Sequence, residues 1–352
     1  MYVNQDVNVR WGNGFSEKFG LSNGVKQGMV LSALFYCIYM SGLFVKLKER
    51  RTGCWVNTDY LGILGYSDDN ILLAPSIDGL QEMLNTCEEY AKDHNLKFST
   101  NPVASKSKTR CLSFLKDQRT LRKLKLCGNE LPWEKYGKHL GNKVMNKLDG
   151  MKNDLLEKRA RFIDKNNELC QEFHFAHPRT KFKMNQIFNC HFSGSTLWDL
   201  FSPEAIMLEN TFNVAFRVMF DLPRETHKYL VEPVSESVHL KKILIKRFIK
   251  FTDAIKSSTK IALKNLYKTI KNDCQSVTGA NLRRICSLVG KTNIDDLVPD
   301  DATSVSYHKI PENEEWRVSI INEITDIKFG LTEIAGFSQD ELEDILRLAC
   351  VS

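Results

Sequence analysis

Apolar positions along the chain fall into three patterns, and each predicts a different kind of element. Residues 29–45 carry no charge for 17 residues. That run falls short of the ~20 apolar residues that span a bilayer, so it reads as a buried helix over 29–48. The stretch Leu21-Ser22-Asn23-Gly24-Val25-Lys26-Gln27-Gly28 reads as the turn leading into it. Next, Tyr60-Leu61-Gly62-Ile63-Leu64-Gly65-Tyr66 and Asn70-Ile71-Leu72-Leu73-Ala74 flank Ser67-Asp68-Asp69, two apolar runs around a short polar turn, which predicts a β-hairpin. Ile77, Leu80, Met83, Leu84, Cys87, Tyr90 and Ala91 then recur at helical spacing and predict an amphipathic helix over 77–93 lying on that sheet. Short strands are expected at 109–115 and 123–127, and a hairpin near 133–140. Beyond about residue 145, Leu148, Leu155, Phe162 and Leu169 repeat every seven residues in a charged helix, and the remaining chain reads as almost wholly helical. A seven-residue repeat of this kind also suits packing against a partner helix.

The expected class is α+β. A small antiparallel sheet with packed helices spans residues 1–145, a helical region spans 146–291, and a C-terminal helical region spans 292–352. Ser338-Gln339-Asp340-Glu341, ahead of Leu342, Ile345 and Leu346, has the form of a capping box opening a final helix.

Charge sharpens the last boundary. Residues 292–352 hold 4 Lys/Arg against 14 Asp/Glu, a balance of −10, so the other residues hold 45 against 29, or +16. The excess is clustered: 106–125 contains 8 basic residues and one acid, and 241–272 contains 10 and one. Basic stripes are the footprint of phosphate-backbone binding, and equally of a solvated helix face. The start, Met1-Tyr2-Val3-Asn4-Gln5-Asp6, lacks the features of a secretory leader, and the 10 cysteines are scattered rather than framed as a disulfide scaffold. An intracellular protein with free thiols and no membrane span is expected.

Two adjacent carboxylates, Asp68 and Asp69, at the tip of a hydrophobic hairpin repel one another unless cations neutralise them. Mg²⁺, held by one or two carboxylates and by substrate phosphates, is the usual solution in polymerase sites. Turn propensity alone also places Asp at such a tip. A zinc site can be drawn from Cys170, His174, His177, Cys190 and His191, but the spacing matches no usual ligand arrangement. No phosphate-binding loop, dinucleotide fingerprint or nucleophile elbow is found.

In order, the chain presents Asn23-Gly24-Val25-Lys26-Gln27-Gly28, Leu31-Ser32-Ala33-Leu34-Phe35, Tyr66-Ser67-Asp68-Asp69, and Leu72-Leu73-Ala74-Pro75-Ser76. Leu96-Lys97-Phe98-Ser99-Thr100, Ser105-Lys106-Ser107-Lys108-Thr109 and Lys138-His139-Leu140-Gly141-Asn142 follow. This series resembles motifs B, C, D and E of the palm of reverse transcriptases, and the His-Leu-Gly-Asn ending resembles non-LTR retrotransposons of the LINE, jockey-like type. A weaker resemblance continues through Leu197-Trp198-Asp199-Leu200, Arg217 and Leu222-Pro223-Arg224-Glu225-Thr226-His227.

The resemblance implies a partial palm at 1–145, a helical thumb and connector at 146–291 and an acidic tail at 292–352. Asp68 becomes the metal ligand, with Asp69 beside it near the primer end, and Mg²⁺ the cofactor. Gly24, Lys26, Gln27 and Gly28 line nucleotide and template, and Tyr66 sits beneath the primer sugar. Lys108, with Lys106 as the rival alignment, donates a proton to departing pyrophosphate, or makes a plain phosphate contact. The implied partners are an RNA template and DNA primer, or an RNA–DNA hybrid. Ser67 stands where the family usually has Ala, and Val30-Leu31-Ser32-Ala33 replaces a Pro-Leu-Ser-Pro sequence. Motif A, which brings the other shared metal-binding aspartate, has no counterpart: Asp6 is the sole Asp before Gly24, and Gln5-Asp6-Val7-Asn8-Val9-Arg10 matches the strand after motif A. The expectation is an N-terminally truncated RNA-directed DNA polymerase, inactive alone or completed by another chain that supplies motif A. The alternatives are a non-enzymatic nucleic-acid-binding remnant and a decayed element-derived protein.

Overall fold

The computed structural model describes residues 5–21, 30–114, 121–145, 149–224, 226, 228, 231–235, 237–273 and 275–305. The turn at 22–29, and with it Gly24, Lys26, Gln27 and Gly28, lies outside them, as do Leu148 and the capping box at 338–341. The chain forms two compact units, one of residues 1–111 and 116–134, the other of 112–115 and 135–352.

The first unit opens with β1 (Gln5–Val7), β2 (Arg10–Trp11), β3 (Gly14–Phe15) and β4 (Phe19–Leu21). β1 pairs antiparallel with β4, and β2 with β3. Helix α1 (Ser32–Glu49) follows and buries Met40, Leu43 and Leu47. It is apolar nearly all round, so Leu34, Ile38 and Val45 remain exposed on its other side. Then come β5 (Trp55–Val56), β6 (Asp59–Tyr60), β7 (Ile63–Tyr66) and β8 (Asp69–Leu72), with β5 paired to β6 and β7 to β8.

Helix α2 (Ile77–Asp93) has the bounds its apolar periodicity predicts. Ser76 caps it, the hydroxyl accepting the Gly79 N–H at 3.1 Å, and the stripe Met83, Leu84, Cys87, Tyr90 and Ala91 is buried. Each such side chain contributes roughly 1.5–3 kcal/mol when fully buried. The strands β9 (Cys111–Leu112), β10 (Leu124–Leu126), β11 (Asn129–Leu131) and β12 (Trp133–Glu134) close this part of the chain. The β10–β11 hairpin turns through Cys127 and Gly128, both at positive φ (51° and 76°), the signature of a type I′ turn. It is pinned to α2 by Gln81, whose amide accepts from Lys125 N and donates to Lys125 O, both at 2.9 Å.

The second unit begins with the antiparallel hairpin β13 (Tyr136–His139) and β14 (Asn142–Met145). The hairpin expected near 133–140 therefore turns later, at Leu140 and Gly141, both of positive φ. Helices α3 (Asp149–Glu172), α4 (Pro178–Phe188), α5 (Pro203–Met219), α6 (Val231–Ser235), α7 (Leu240–Ser257), α8 (Ile261–Asn272) and α9 (Val277–Leu288) follow. Leu155, Phe162 and Leu169 of the seven-residue repeat are buried in this unit's own core, among Phe182, Phe212 and Phe216. The repeat is thus satisfied internally, which removes the reason to assign these positions to a partner helix. Phe182 alone meets Phe212, Phe216 and Phe220 with ring centroids 5.2, 5.5 and 6.0 Å away.

His239 caps α7 from a buried position. Its Nδ1 accepts the Lys241 N–H at 3.3 Å, which leaves Nε2 to donate to Asn213 Oδ1 at 3.0 Å; this is the neutral tautomer. Burial lowers its pKa below the ordinary 6.5, outweighing the nearby charges of Glu209 and Glu232, while Lys228 and Lys242 lower it further. A folded state that refuses a proton loses stability once the unfolded chain begins to take one. The melting temperature is therefore expected to fall as pH drops below about 6.5, and His239→Asn, which keeps a capping acceptor, should flatten that slope. An equal slope in both proteins would assign the effect to other groups.

Candidate active site

The β7–β8 hairpin has a two-residue loop, Ser67-Asp68, between the paired residues Tyr66 and Asp69. Of the two, only Ser67 has positive φ (55°), the sign pattern of a type II′ rather than a type I′ turn. A side chain at that position is strained, and a small one such as Ser or Ala minimises the clash.

Strand alternation sorts the side chains. Ile63, Gly65, Asn70 and Leu72 share the face turned to α1, where a Cβ on Gly65 would lie 2.6 Å from the Phe44 ring and 2.8 Å from Asn70 Oδ1. Glycine at 65 is what lets the hairpin seat on the helix. Tyr66 and Asp69 are opposed on the other face, and both are exposed. Asp68, at the loop, lies near Tyr36 of α1: burial raises the Tyr36 pKa first, and the Asp68 charge raises it further. Asp68 and Asp69 are thus adjacent in sequence yet differ in surroundings. Neither forms an ion pair among the described residues, and both carboxylates are exposed side by side at one tip. The motif reading missed Tyr36, because a helix that is apolar on every side gives no sign of which aromatic meets the hairpin.

Lys106 and Lys108 are set by the residue between them. Ser107 is buried and donates to Thr109 O at 2.9 Å, while Thr109 N and Oγ1 both donate to Ser99 O, at 3.1 and 3.0 Å. With Ser107 anchored inward, both lysines face solvent and neither is ion-paired among the described residues. Elsewhere in the first basic cluster, Arg110 pairs with Glu134 (3.0 Å), Arg122 with Asp78, and Lys123 with Glu130 (2.8 Å).

The second cluster is mostly committed to the fold. Lys241 is buried and donates to Leu200 O, Lys242 pairs with Glu232 (2.6 Å), and Lys246 pairs with Asp300 (2.9 Å). Arg247 donates to Cys190 O and His191 O at 2.6 and 2.9 Å, and Lys256 and Lys271 both meet Asp295, at 3.9 and 2.6 Å. Lys250, Lys260, Lys264 and Lys268 remain exposed without ion pairs among the described residues, the last three at four-residue spacing from the N-cap of α8 into the helix.

For a divalent cation, Asp68 and Asp69 supply hard oxygen donors at an open tip, which fits one side of a Mg²⁺ site. Among the described residues no group of three or more His, Cys, Asp and Glu is placed to hold a metal ion, a statement that covers Cys170, His174, His177, Cys190 and His191 as well. Cys190 is fully buried, and His177 caps α4. Also among them, no helix is long and apolar enough to cross a membrane.

The first unit is thus an α+β domain carrying a paired-carboxylate hairpin on an apolar helix. Residues 2–141 match the family model described as reverse transcriptase (RNA-dependent DNA polymerase). That segment, which takes in α1, the hairpin and both lysines, is similar to a reverse-transcriptase domain. A search of curated proteins finds no match.

Proposed function

We propose that this chain is the palm and thumb portion of a non-LTR retrotransposon reverse transcriptase of the LINE, jockey-like type, and that its 352 residues do not polymerise alone. The observation that carries the reading is the exposed Ser67-Asp68 loop, where Asp68 and Asp69 stand side by side without an ion pair among the described residues, inside the matched segment. The finer type rests on the resemblance of His139-Leu140-Gly141-Asn142.

In this reading Asp68 is the metal-holding carboxylate and Asp69 stands beside it at the primer end, with Tyr66 under the primer sugar. A bound divalent cation would supply the charge that stabilises the attacking and leaving oxygens of phosphoryl transfer. Lys108, or Lys106, would hand a proton to departing pyrophosphate, and Gly24, Lys26, Gln27 and Gly28 would line template and nucleotide. Residues 146–291 act as thumb and connector, and 292–352 as an acidic tail. The carboxylate of motif A has no counterpart in these residues, so the cation cage is completed only when a segment or chain supplies it.

Binding to an RNA–DNA hybrid tests the partner class. Affinity is expected to fall steeply with salt, and replacing Lys250, Lys260, Lys264 and Lys268 together by Ala should reduce the log–log slope by about 3 to 4, at roughly 0.9 per lost phosphate contact. Salt-independent affinity, or no binding at about 50 mM salt, would reject the reading.

A further inference from the structure

The β2–β3 hairpin carries two aromatic side chains that are largely exposed. Trp11 is 88% exposed and Phe15 65% exposed. Their strands pair Arg10 with Phe15 and Trp11 with Gly14, so the two rings lie on opposite faces of a two-stranded ribbon. On one face the indole stands opposite a residue without a side chain, and the next pair, Val9 and Ser16, is joined by Ser16 N donating to Val9 O at 2.9 Å. On the other face the Arg10 guanidinium carbon sits 5.9 Å from the Phe15 ring centre, a cation over an aromatic face. Trp11 is thus the more open ring, while Phe15 on the other face carries Arg10 over it.

We propose that this hairpin is a stacking platform for unpaired bases of a single-stranded nucleic acid, with Trp11 as the principal ring. The inference rests on the reverse-transcriptase reading for its ligand class and adds a contact that the motifs do not include. Size argues for a base rather than a protein: the rings lie on opposite faces, so one contact meets a single ring of roughly 150–250 Å², with only the exposed Val9 beside Trp11 in the hairpin, against about 800 Å² per partner in a stable protein interface. A single base needs one open ring, and every base has such a face. Charge argues that the contact is stacking, because Arg10 and Lys18 are balanced by Asp6 and Glu17 within residues 5–21. Its contribution should therefore be nearly independent of salt, unlike that of the lysines on α8.

The test uses the full chain and a fluorescein-labelled oligo(rA), with binding read by anisotropy at low and moderate salt. Trp11→Ala is expected to weaken binding about tenfold or more at both salt concentrations, within the range for one stacked base, while Trp11→Phe retains most of it. Replacing Lys260, Lys264 and Lys268 by Ala should instead act mainly at low salt. Trp11 is too exposed to hold the fold, and an unchanged melting temperature checks this. Wild-type affinity in Trp11→Ala, beside clear binding by the parent, would overturn the platform and leave the polymerase reading standing. Failure of the parent to bind RNA at any salt would overturn both. Self-association of the parent that Trp11→Ala abolishes would give the ring to a protein interface and also overturn the proposal.

Discussion

Fused behind a motif A-bearing segment from a related element, the chain is expected to extend a primer, and Asp68→Ala is expected to reduce that extension by at least two to three orders of magnitude. The loss of one preorganised electrostatic element at a reacting phosphate or acyl centre commonly has this size. Asp68 occupies the second position of a two-residue loop, where it makes no ion pair among the described residues and has the Tyr36 ring as its neighbour. Its charge holds no ion pair among the described residues, so the melting temperature should be unchanged and the loss should lie in turnover. Asp69, opposed to Tyr66 on the outer face, should give a smaller loss on replacement by Ala. A second readout is independent of activity: without the Asp68 charge the Tyr36 hydroxyl should titrate closer to its ordinary pKa of 10.0, seen by ultraviolet titration against a Tyr36→Phe control. An active Asp68→Ala fusion would remove Asp68 from the chemistry.

Trp198→Ala is expected to cost the second unit about 3–5 kcal/mol or more and to unfold it at temperatures where the parent is stable. The indole is fully buried, and its Nε1 donates to Asp154 Oδ2 at 3.0 Å. Asp154 is itself buried and, among the described residues, also pairs with Lys158, 3.6 Å away, which reaches Asn142 Oδ1 at 3.3 Å and Ser193 O. On the other side, Asn281 donates to Trp198 O at 2.7 Å and accepts from Leu200 N at 3.2 Å. Removing the indole therefore leaves both a cavity and a buried carboxylate short of a donor. Trp198→Phe separates the two: it keeps most of the packing and should cost about 1–3 kcal/mol for the orphaned acceptor. Denaturant unfolding of the three proteins gives these differences, and losses under about 1 kcal/mol for Trp198→Ala would show that the core closes around the gap.

How much of this was legible beforehand depends on whether an element is specified locally. Helix α2 could be read to the residue, because Ser76 offers a cap and its apolar stripe follows one period without interruption. The β7–β8 hairpin was legible from two apolar runs and a polar turn, although Asp69 joins the strand instead of the loop. The seven-residue repeat marked a real helix face but not what it packs on, since intramolecular and intermolecular burial leave the same pattern in sequence.

Charge was the least legible feature. Counting Lys and Arg over 241–272 cannot reveal that Lys241 is buried against a carbonyl or that Asp295 and Asp300 consume Lys271 and Lys246. Those partners come from elsewhere in the chain. The exposed Trp11 was equally silent, because an aromatic in a strand pattern ordinarily signals core.

Primer extension on poly(rA)/oligo(dT) with Mg²⁺ tests the central claim most directly: that these residues carry the carboxylate hairpin of a reverse transcriptase but not its complete cation cage. The 352-residue chain is expected to give no measurable product alone and to gain Asp68-dependent synthesis once a motif A-bearing segment is supplied. Extension by the unmodified chain that is lost on Asp68→Ala would contradict the claim of an incomplete cage, and no synthesis in any fusion that folds and binds hybrid would contradict the claim of a polymerase hairpin.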